Sequence, residues 1–294
     1  MRILFASGKG GAGKTTVTAG LARAWPRSFV LADADVEAPD LALFLPHDLP
    51  SSTPVSLEVP VKITEACDLC GECLDICQFK AIVKLGKRIV PFPNMCHSCG
   101  GCTAVCSRQA ILTGERVLGS IAEGTAFDAA PFFEGRSRIG EAMTPPLIRA
   151  LLKKASDAAA DRRADLLIDA PPGVSCPVTT AARYADAVVF VADPTPFGVH
   201  DFRLAVAALR EAGKPAAVII NRTGQPGNDA NEAALRDWCR SNGLPVAAEL
   251  PFAREAAECT ARSLSPAEAL PGWLARFEAA AAALCTLLSE SRHA

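Results

Sequence analysis

The stretch Ile3-Leu4-Phe5-Ala6-Ser7-Gly8-Lys9-Gly10-Gly11-Ala12-Gly13-Lys14-Thr15-Thr16 decides how the rest of the chain is read. Four apolar residues in a row predict a buried strand. The glycine-rich turn after it fits G-x4-G-K-[ST] from Gly8 to Thr15, and residues of helical character follow, the order of a phosphate-binding unit. Glycines at Gly8, Gly10, Gly11 and Gly13, with Ala12, let backbone N–H groups turn inward around an anion. A helix beginning near Lys14 aims its positive end at the same point. The motif assigns Lys14 to the β- and γ-phosphates and Thr15 to Mg²⁺, with Thr16 completing the nucleotide-binding set. A glycine-rich turn with a chance Lys-Thr is the competing reading, and the strand and helix on either side argue against it.

Further apolar runs repeat this pattern outward. Phe29 to Ala32, Leu166 to Ile168, Val188 to Val191, Ala217 to Ile220 and Val246 to Leu250 read as buried strands, the runs expected of a parallel sheet covered on both faces. Helices are predicted at Lys14 to Ala24, Leu147 to about Ala160, Pro177 to Tyr184, His200 to Ala212, Asp229 to Ser241 and Pro271 to Ser289. The fold class that follows is α/β, a doubly wound, mostly parallel sheet. Between about Glu58 and Gly140 the alternation fails. The expected organisation is residues 1–57 as the first part of the nucleotide domain, 58–113 as an inserted domain, 114–143 as a connecting hairpin and 144–294 as the second part.

The insertion holds eight of the chain's 12 cysteines. Cys67, Cys70, Cys73 and Cys77 recur 29 residues later as Cys96, Cys99, Cys102 and Cys106, and Ala81-Ile82 recurs at the same offset as Ala110-Ile111. A match over this many positions marks a duplicated unit. The spacing C-x2-C-x2-C-x3-C resembles that of bacterial ferredoxins. In the two-cluster kind the fourth cysteine serves the other cluster. That resemblance implies one 4Fe–4S cluster on Cys67, Cys70, Cys73 and Cys106, a second on Cys96, Cys99, Cys102 and Cys77, and a small α+β ferredoxin-like insert. Gln78 and Ser107 stand where ferredoxins place proline. Zinc is the competing occupant, but structural zinc takes two separated C-x2-C pairs, and here three close cysteines occur twice. The phenylalanines Phe79, Phe92, Phe132 and Phe133 read as packing.

With its second lysine, G-K-G-G-x-G-K-T-T resembles the deviant phosphate loop of the MinD/ParA/nitrogenase iron protein class. The resemblance extends to Asp33-Ala34-Asp35 at a strand end, to Leu166-Leu167-Ile168-Asp169-Ala170-Pro171-Pro172-Gly173 and to Asp193-Pro194-Thr195-Pro196-Phe197-Gly198-Val199-His200-Asp201. The chain is thus similar along nearly its whole length to MinD-superfamily ATPases with an inserted ferredoxin domain. The resemblance implies that Lys9 reaches the nucleotide of a partner subunit in an ATP-bridged homodimer. It further implies that Asp35 orients the attacking water, that Asp33 and Asp169 join Thr15 at Mg²⁺, and that Gly173 offers an N–H to the γ-phosphate. Asn221 and the Pro251-Phe252 segment are expected at adenine. A GTPase would show N-K-x-D where Asn221-Arg222-Thr223-Gly224 stands. Lys9, Lys14 and Asp35 are the expected catalytic residues.

Composition narrows the partners. A net charge of −2 and basic runs no longer than Lys153-Lys154 argue against nucleic acid. No signal segment or membrane span is expected, because apolar runs such as Ala187 to Ala192 suit buried strands, and the cysteine usage suits a reducing compartment. A cytoplasmic protein is expected. Two function classes remain. One is an ATP-driven redox or metallocofactor-assembly protein acting on a partner. The other is a ParA/MinD-like positioning switch whose clusters are structural or sensory. Cys176, beside the Asp169 segment, has an analogue in the cluster-binding cysteine of the nitrogenase iron protein, but a buried structural thiol is the preferred reading.

Overall fold

The computed structural model describes residues 1–127, 129–210 and 213–290. In chain order its elements are β1 (Arg2–Ala6), α1 (Lys14–Arg23), β2 (Phe29–Asp33), β3 (His47–Ile63), α2 (Glu72–Ile76), β4 (Ile82–Leu85), β5 (Arg88–Pro91), α3 (Gly101–Val105), β6 (Ile111–Ala126) and β7 (Ala130–Ser137). They continue as α4 (Pro145–Arg162), β8 (Asp165–Asp169), α5 (Cys176–Tyr184), β9 (Ala187–Ala192), α6 (Pro196–Arg210), β10 (Ala216–Thr223), α7 (Asp229–Ser241), β11 (Val246–Pro251), α8 (Arg254–Ala261), α9 (Pro266–Ala269) and α10 (Trp273–Glu290). The expected end of α6 at Ala212 lies outside the described residues. Two compact units result. One comprises Met1–Thr53, Ser120–Ser137 and Thr144–Ala294, the other Pro54–Gly119 and Arg138–Met143.

Among the described residues, nine strands form one sheet in the order β11-β10-β9-β1-β8-β2-β7-β6-β3. The pairs from β11 through to β7 are all parallel. Its central strands are the charge-poor runs: every residue of β8 and β9 is buried, because helices cover both faces. The fold is therefore α/β with a large, mostly parallel sheet. One side of the sheet packs against α1 and α10, where Val17, Leu21, Phe277, Ala281 and Leu284 join Ile3, Leu31 and Val189 in one apolar core. The helices lie so close that a Cβ on Gly20 would sit 2.3 Å from the Phe277 ring.

Two features go beyond the sequence expectation. Residues expected as a connecting hairpin supply most of β6 and all of β7, which are neighbours in the sheet, and β7 also pairs in parallel with β2 through Leu31↔Phe132 and Asp33↔Glu134. Phe132 and Phe133 are thus core of the larger unit. The 17-residue β3, which ends the sheet, carries Pro54 and Pro60 within it. An edge strand tolerates proline because one row of its N–H groups has no ladder partner.

In the smaller unit the duplication is written into the backbone. Leu69 and Lys80 have φ of 63° and 52°, and their counterparts 29 residues on, Ser98 and Gln109, have 54° and 47°. Gly71 and Gly100 repeat the left-handed conformation before α2 and α3. Between the halves, β4 and β5 form an antiparallel pair. The apolar clusters here are small: Cys73, Ile82, Ile89 and Cys102 in one, Val59, Ala81 and Cys96 in the other.

Candidate functional site

Parallel register brings the carboxyl ends of three strands together: Phe5 of β1 lies opposite Asp169 of β8, and Asp169 opposite Asp33 of β2. Ligands of open α/β sheets bind at such an edge. The loop from Ser7 to Gly13 leaves β1 here and enters α1 directly at Lys14. Gly13 has φ of 88°, and a Cβ there would lie 2.2 Å from the Asn221 amide nitrogen. That amide donates to the Ala12 carbonyl at 3.0 Å. Asn221, expected at adenine, therefore also braces the phosphate loop, while its Oδ1 remains an acceptor.

Asp169 is the hub. Its Oδ2 lies 2.6 Å from Lys14 Nζ and accepts from Thr15 Oγ1 at 2.9 Å, while Oδ1 accepts from Thr18 Oγ1 at 2.8 Å. The lysine and carboxylate side chains are only 6% and 0% exposed, so their attraction is little screened. Lys14, expected at phosphate, and Thr15 and Asp169, expected at Mg²⁺, thus meet at one point. Thr18 was not legible as a site residue. The spacing Lys14-x3-Thr18 on a helix is the only signal that could have found it.

The second carboxylate pair divides its work. Asp33 is fully buried, and both its oxygens accept backbone N–H groups, from Asp35 at 3.0 Å and Leu41 at 3.0 Å. Burial, then the charge of Asp169, pushes its carboxyl well above the usual range, with Lys14 opposing. In this arrangement Asp33, expected at Mg²⁺, organises the loop that carries Asp35. Burial raises the Asp35 carboxyl to about 6 against the pull of Lys14, a value suited to a group that handles a water proton near neutrality.

Lys9 is not a free loop cation. Its Nζ lies 3.4 Å from Asp193 Oδ2 and 3.3 Å from Thr195 Oγ1. Asp193 is buried and also faces Arg222 at 3.6 Å. The Gly173 N–H, expected at a γ-phosphate, donates to the Ser7 carbonyl at 3.0 Å. A cavity beside the loop is lined by Gly13, Thr16, Asn221, Arg222, Pro251 and Phe252, together with Thr260 and Trp273. Of these, Gly13, Thr16, Asn221, Pro251 and Phe252 are expected nucleotide contacts. Trp273 and Thr260 come from distant helices and carry no motif. Cys176 is exposed at the start of α5, which corrects the buried-thiol expectation: a first-turn helix position beside a loop has no core to enter.

In the smaller unit the eight cysteines separate into two interleaved groups. One cavity is lined by Cys67, Cys70, Cys73 and Cys106, another by Cys77, Cys96, Cys99 and Cys102. Burial raises the Cys73 thiol, and Cys67, Cys106 and Cys70 add to the rise; Cys102 is raised by burial, then by Cys96 and Cys99. Buried thiols do not readily ionise alone, and a cation held among them would favour the thiolate form. Among the described residues no group of three or more His, Cys, Asp or Glu lies close enough for a single metal ion. Phe79, expected as packing, is exposed and stacks on His97 at 3.4 Å.

A family model of the CobQ/CobB/MinD/ParA nucleotide binding domain matches residues 3–266. The chain is 32% identical over 226 residues to an uncharacterized protein of Methanocaldococcus jannaschii, covering 76% of this chain and 79% of that one. A second uncharacterized protein of that organism is 28% identical over 230 residues, with coverage of 76% and 81%. Among solved structures, the septum site-determining protein MinD of Pyrococcus horikoshii, complexed with Mg-ADP, shares the fold. Its TM-score is 0.58 at 19% identity, covering 95% of this chain and 93% of that one. Among the described residues no helix is long and apolar enough to cross a membrane.

Proposed function

Because the chain belongs to the CobQ/CobB/MinD/ParA nucleotide-binding family, we propose that it is a Mg-ATP-hydrolysing iron–sulfur protein of the cytoplasm. In this reading ATP-dependent dimerisation gates electron transfer to a partner protein, or metallocofactor assembly on it. The observation that carries the iron–sulfur part is the interleaving of the cysteines: each cavity takes three from one half of the duplication and the fourth from the other.

The residues divide the work as follows. The phosphate loop N–H groups and Lys14 hold the β- and γ-phosphates. Thr15 and Asp169 hold Mg²⁺, and Asp35 positions water for in-line attack. Asn221, Pro251 and Phe252 bind adenine; the Asn221 Oδ1, an acceptor, matches an exocyclic amino group and not a carbonyl. Lys9 leaves Asp193 to reach the partner subunit's nucleotide, and Gly173 leaves the Ser7 carbonyl for the γ-phosphate. The two quartets hold 4Fe–4S clusters, which supply one-electron transfer. In chain order the insert leaves the larger unit at Thr53, downstream of Asp35, and returns at Ser120, upstream of Asp169.

Anaerobically purified protein is expected to contain about eight iron and eight sulfide atoms per chain. A non-hydrolysable ATP analogue is expected to shift at least one cluster's potential or EPR line shape. Stoichiometric zinc in place of iron overturns the cluster assignment. Lys9→Ala is expected to retain nucleotide binding but lose ATP-dependent dimerisation in light scattering, together with most turnover. Hydrolysis at the wild-type rate would remove Lys9 from the mechanism. A ParA/MinD-like positioning switch is the second reading, favoured by the fold shared with the septum site-determining protein. It predicts spectra and potentials indifferent to nucleotide in a sample that still dimerises.

A further inference from the structure

We propose that the two cysteine quartets are unequal. The cluster on Cys77, Cys96, Cys99 and Cys102 has the higher reduction potential and takes the first electron, and Arg116 sets the difference. This rests on the iron–sulfur reading above. In the step itself one electron passes from an external one-electron donor to an oxidised cluster, and no bond forms or breaks.

The duplication makes the comparison direct, because its 29-residue offset pairs position 68 with 97, 79 with 108, and 87 with 116. Beside the first quartet stands an ion pair, Arg108 Nε to Asp68 Oδ2 at 2.9 Å, and Asp68 also accepts the Cys70 N–H at 3.2 Å. At the equivalent positions beside the second quartet, Phe79 and His97 stack with an interplanar angle of 6°. An ion pair whose carboxylate draws a loop N–H to itself has been replaced by a stacked ring pair. In the second quartet the Ser98 N–H donates to Cys96 Sγ at 3.3 Å. Each quartet also receives one equivalent N–H, Ala81 to Cys77 Sγ at 3.2 Å and Ala110 to Cys106 Sγ at 3.3 Å. Hydrogen bonds to sulfur stabilise the extra negative charge of the reduced state.

The largest asymmetry is at position 116. Arg116 is buried, and its Nη1 donates to the carbonyls of Cys96 at 3.2 Å and Pro93 at 2.6 Å. Its Nε has no partner. Its counter-ion Glu141 is shared with Arg138, at 3.3 Å from each guanidinium, so two cations face one carboxylate. The equivalent residue in the first half, Lys87, is exposed, as are Lys62 and Arg88 near Cys67. A charge in solvent acts through a dielectric of about 80 and a buried one through about 20, roughly a fourfold difference at equal distance. Glu58 lines the second cavity and opposes Arg116, with its carboxylate bound by Thr113.

The test is an EPR-monitored redox titration of the full chain, reduced with dithionite after iron and sulfide have been counted. The midpoints are expected to differ by at least a tenfold preference for one cluster, which is about 59 mV for one electron. Repeating the titration on Cys70→Ser and Cys99→Ser assigns each midpoint, because each substitution alters one cluster. Arg116→Gln is expected to reduce the preference to threefold or less by lowering the upper midpoint alone, and Arg116→Lys to keep most of it. Should Arg116→Gln lose its clusters, the wild-type assignment and Arg116→Lys still decide. Equal midpoints, or the first electron on the Cys70 side, overturn this inference and leave the cluster reading intact. Absence of iron and sulfide overturns that reading itself.

Discussion

Lys14→Ala is expected to abolish tight ATP binding and to lower hydrolysis by at least about 10²- to 10³-fold, the usual loss when one preorganised charge-stabilising group is removed. It is also expected to destabilise the larger unit, for a separate reason. Lys14 is paired with an Asp169 carboxylate that is 0% exposed, and removing one partner of a buried pair costs about 3–5 kcal/mol. The two effects can be separated. In Lys14→Met/Asp169→Asn the buried charge is gone from both sides, while Thr15 and Thr18 can still bond the amide. Thermal melts should recover most of the lost stability, and calorimetry should still find no tight ATP binding. A Lys14→Ala protein that melts lower but hydrolyses ATP normally would remove this loop from the site.

On the iron–sulfur reading proposed above, anaerobic chelation is expected to unfold residues 54–119 while leaving the larger unit folded and able to bind nucleotide. The apolar clusters of the smaller unit contain few side chains, and three of their buried members are Cys73, Cys96 and Cys102. A module with so small a core needs staples, and cluster binding becomes folding energy when the site does not exist in the unfolded chain. The larger unit has its own core, running from Ile3 and Phe5 to Phe277 and Leu284. Amide hydrogen exchange checks this: amides of β4 and β5 should lose protection on chelation, while those of β1, β8 and β9 keep theirs. Full protection of both units without iron would mean that the cysteines are structural only through packing.

The phosphate loop, the central parallel strands and the cysteine duplication are all legible in the sequence, because each is a local property. A G-x4-G-K-T turn needs glycines at particular positions, a strand covered on both faces shows as an unbroken apolar run, and a repeat shows as an offset. What depends on distant chain is not legible there. β7 sits beside β2 because the edge of the central sheet needed a partner, although its own residues include Glu134, Gly135 and Arg136. Asp33 reads like a metal ligand at a strand end, and only the path of the following loop shows both its oxygens bound to the N–H groups of Asp35 and Leu41. The Lys9 contact with Asp193 spans most of the domain in sequence, and Trp273 reaches the cavity beside the phosphate loop from the last helix. The sequence determined which groups bear chemistry, since residue type and spacing are written in it. The tertiary structure decided which of them meet, since contact between residues far apart in the chain follows from how the sheet orders its strands.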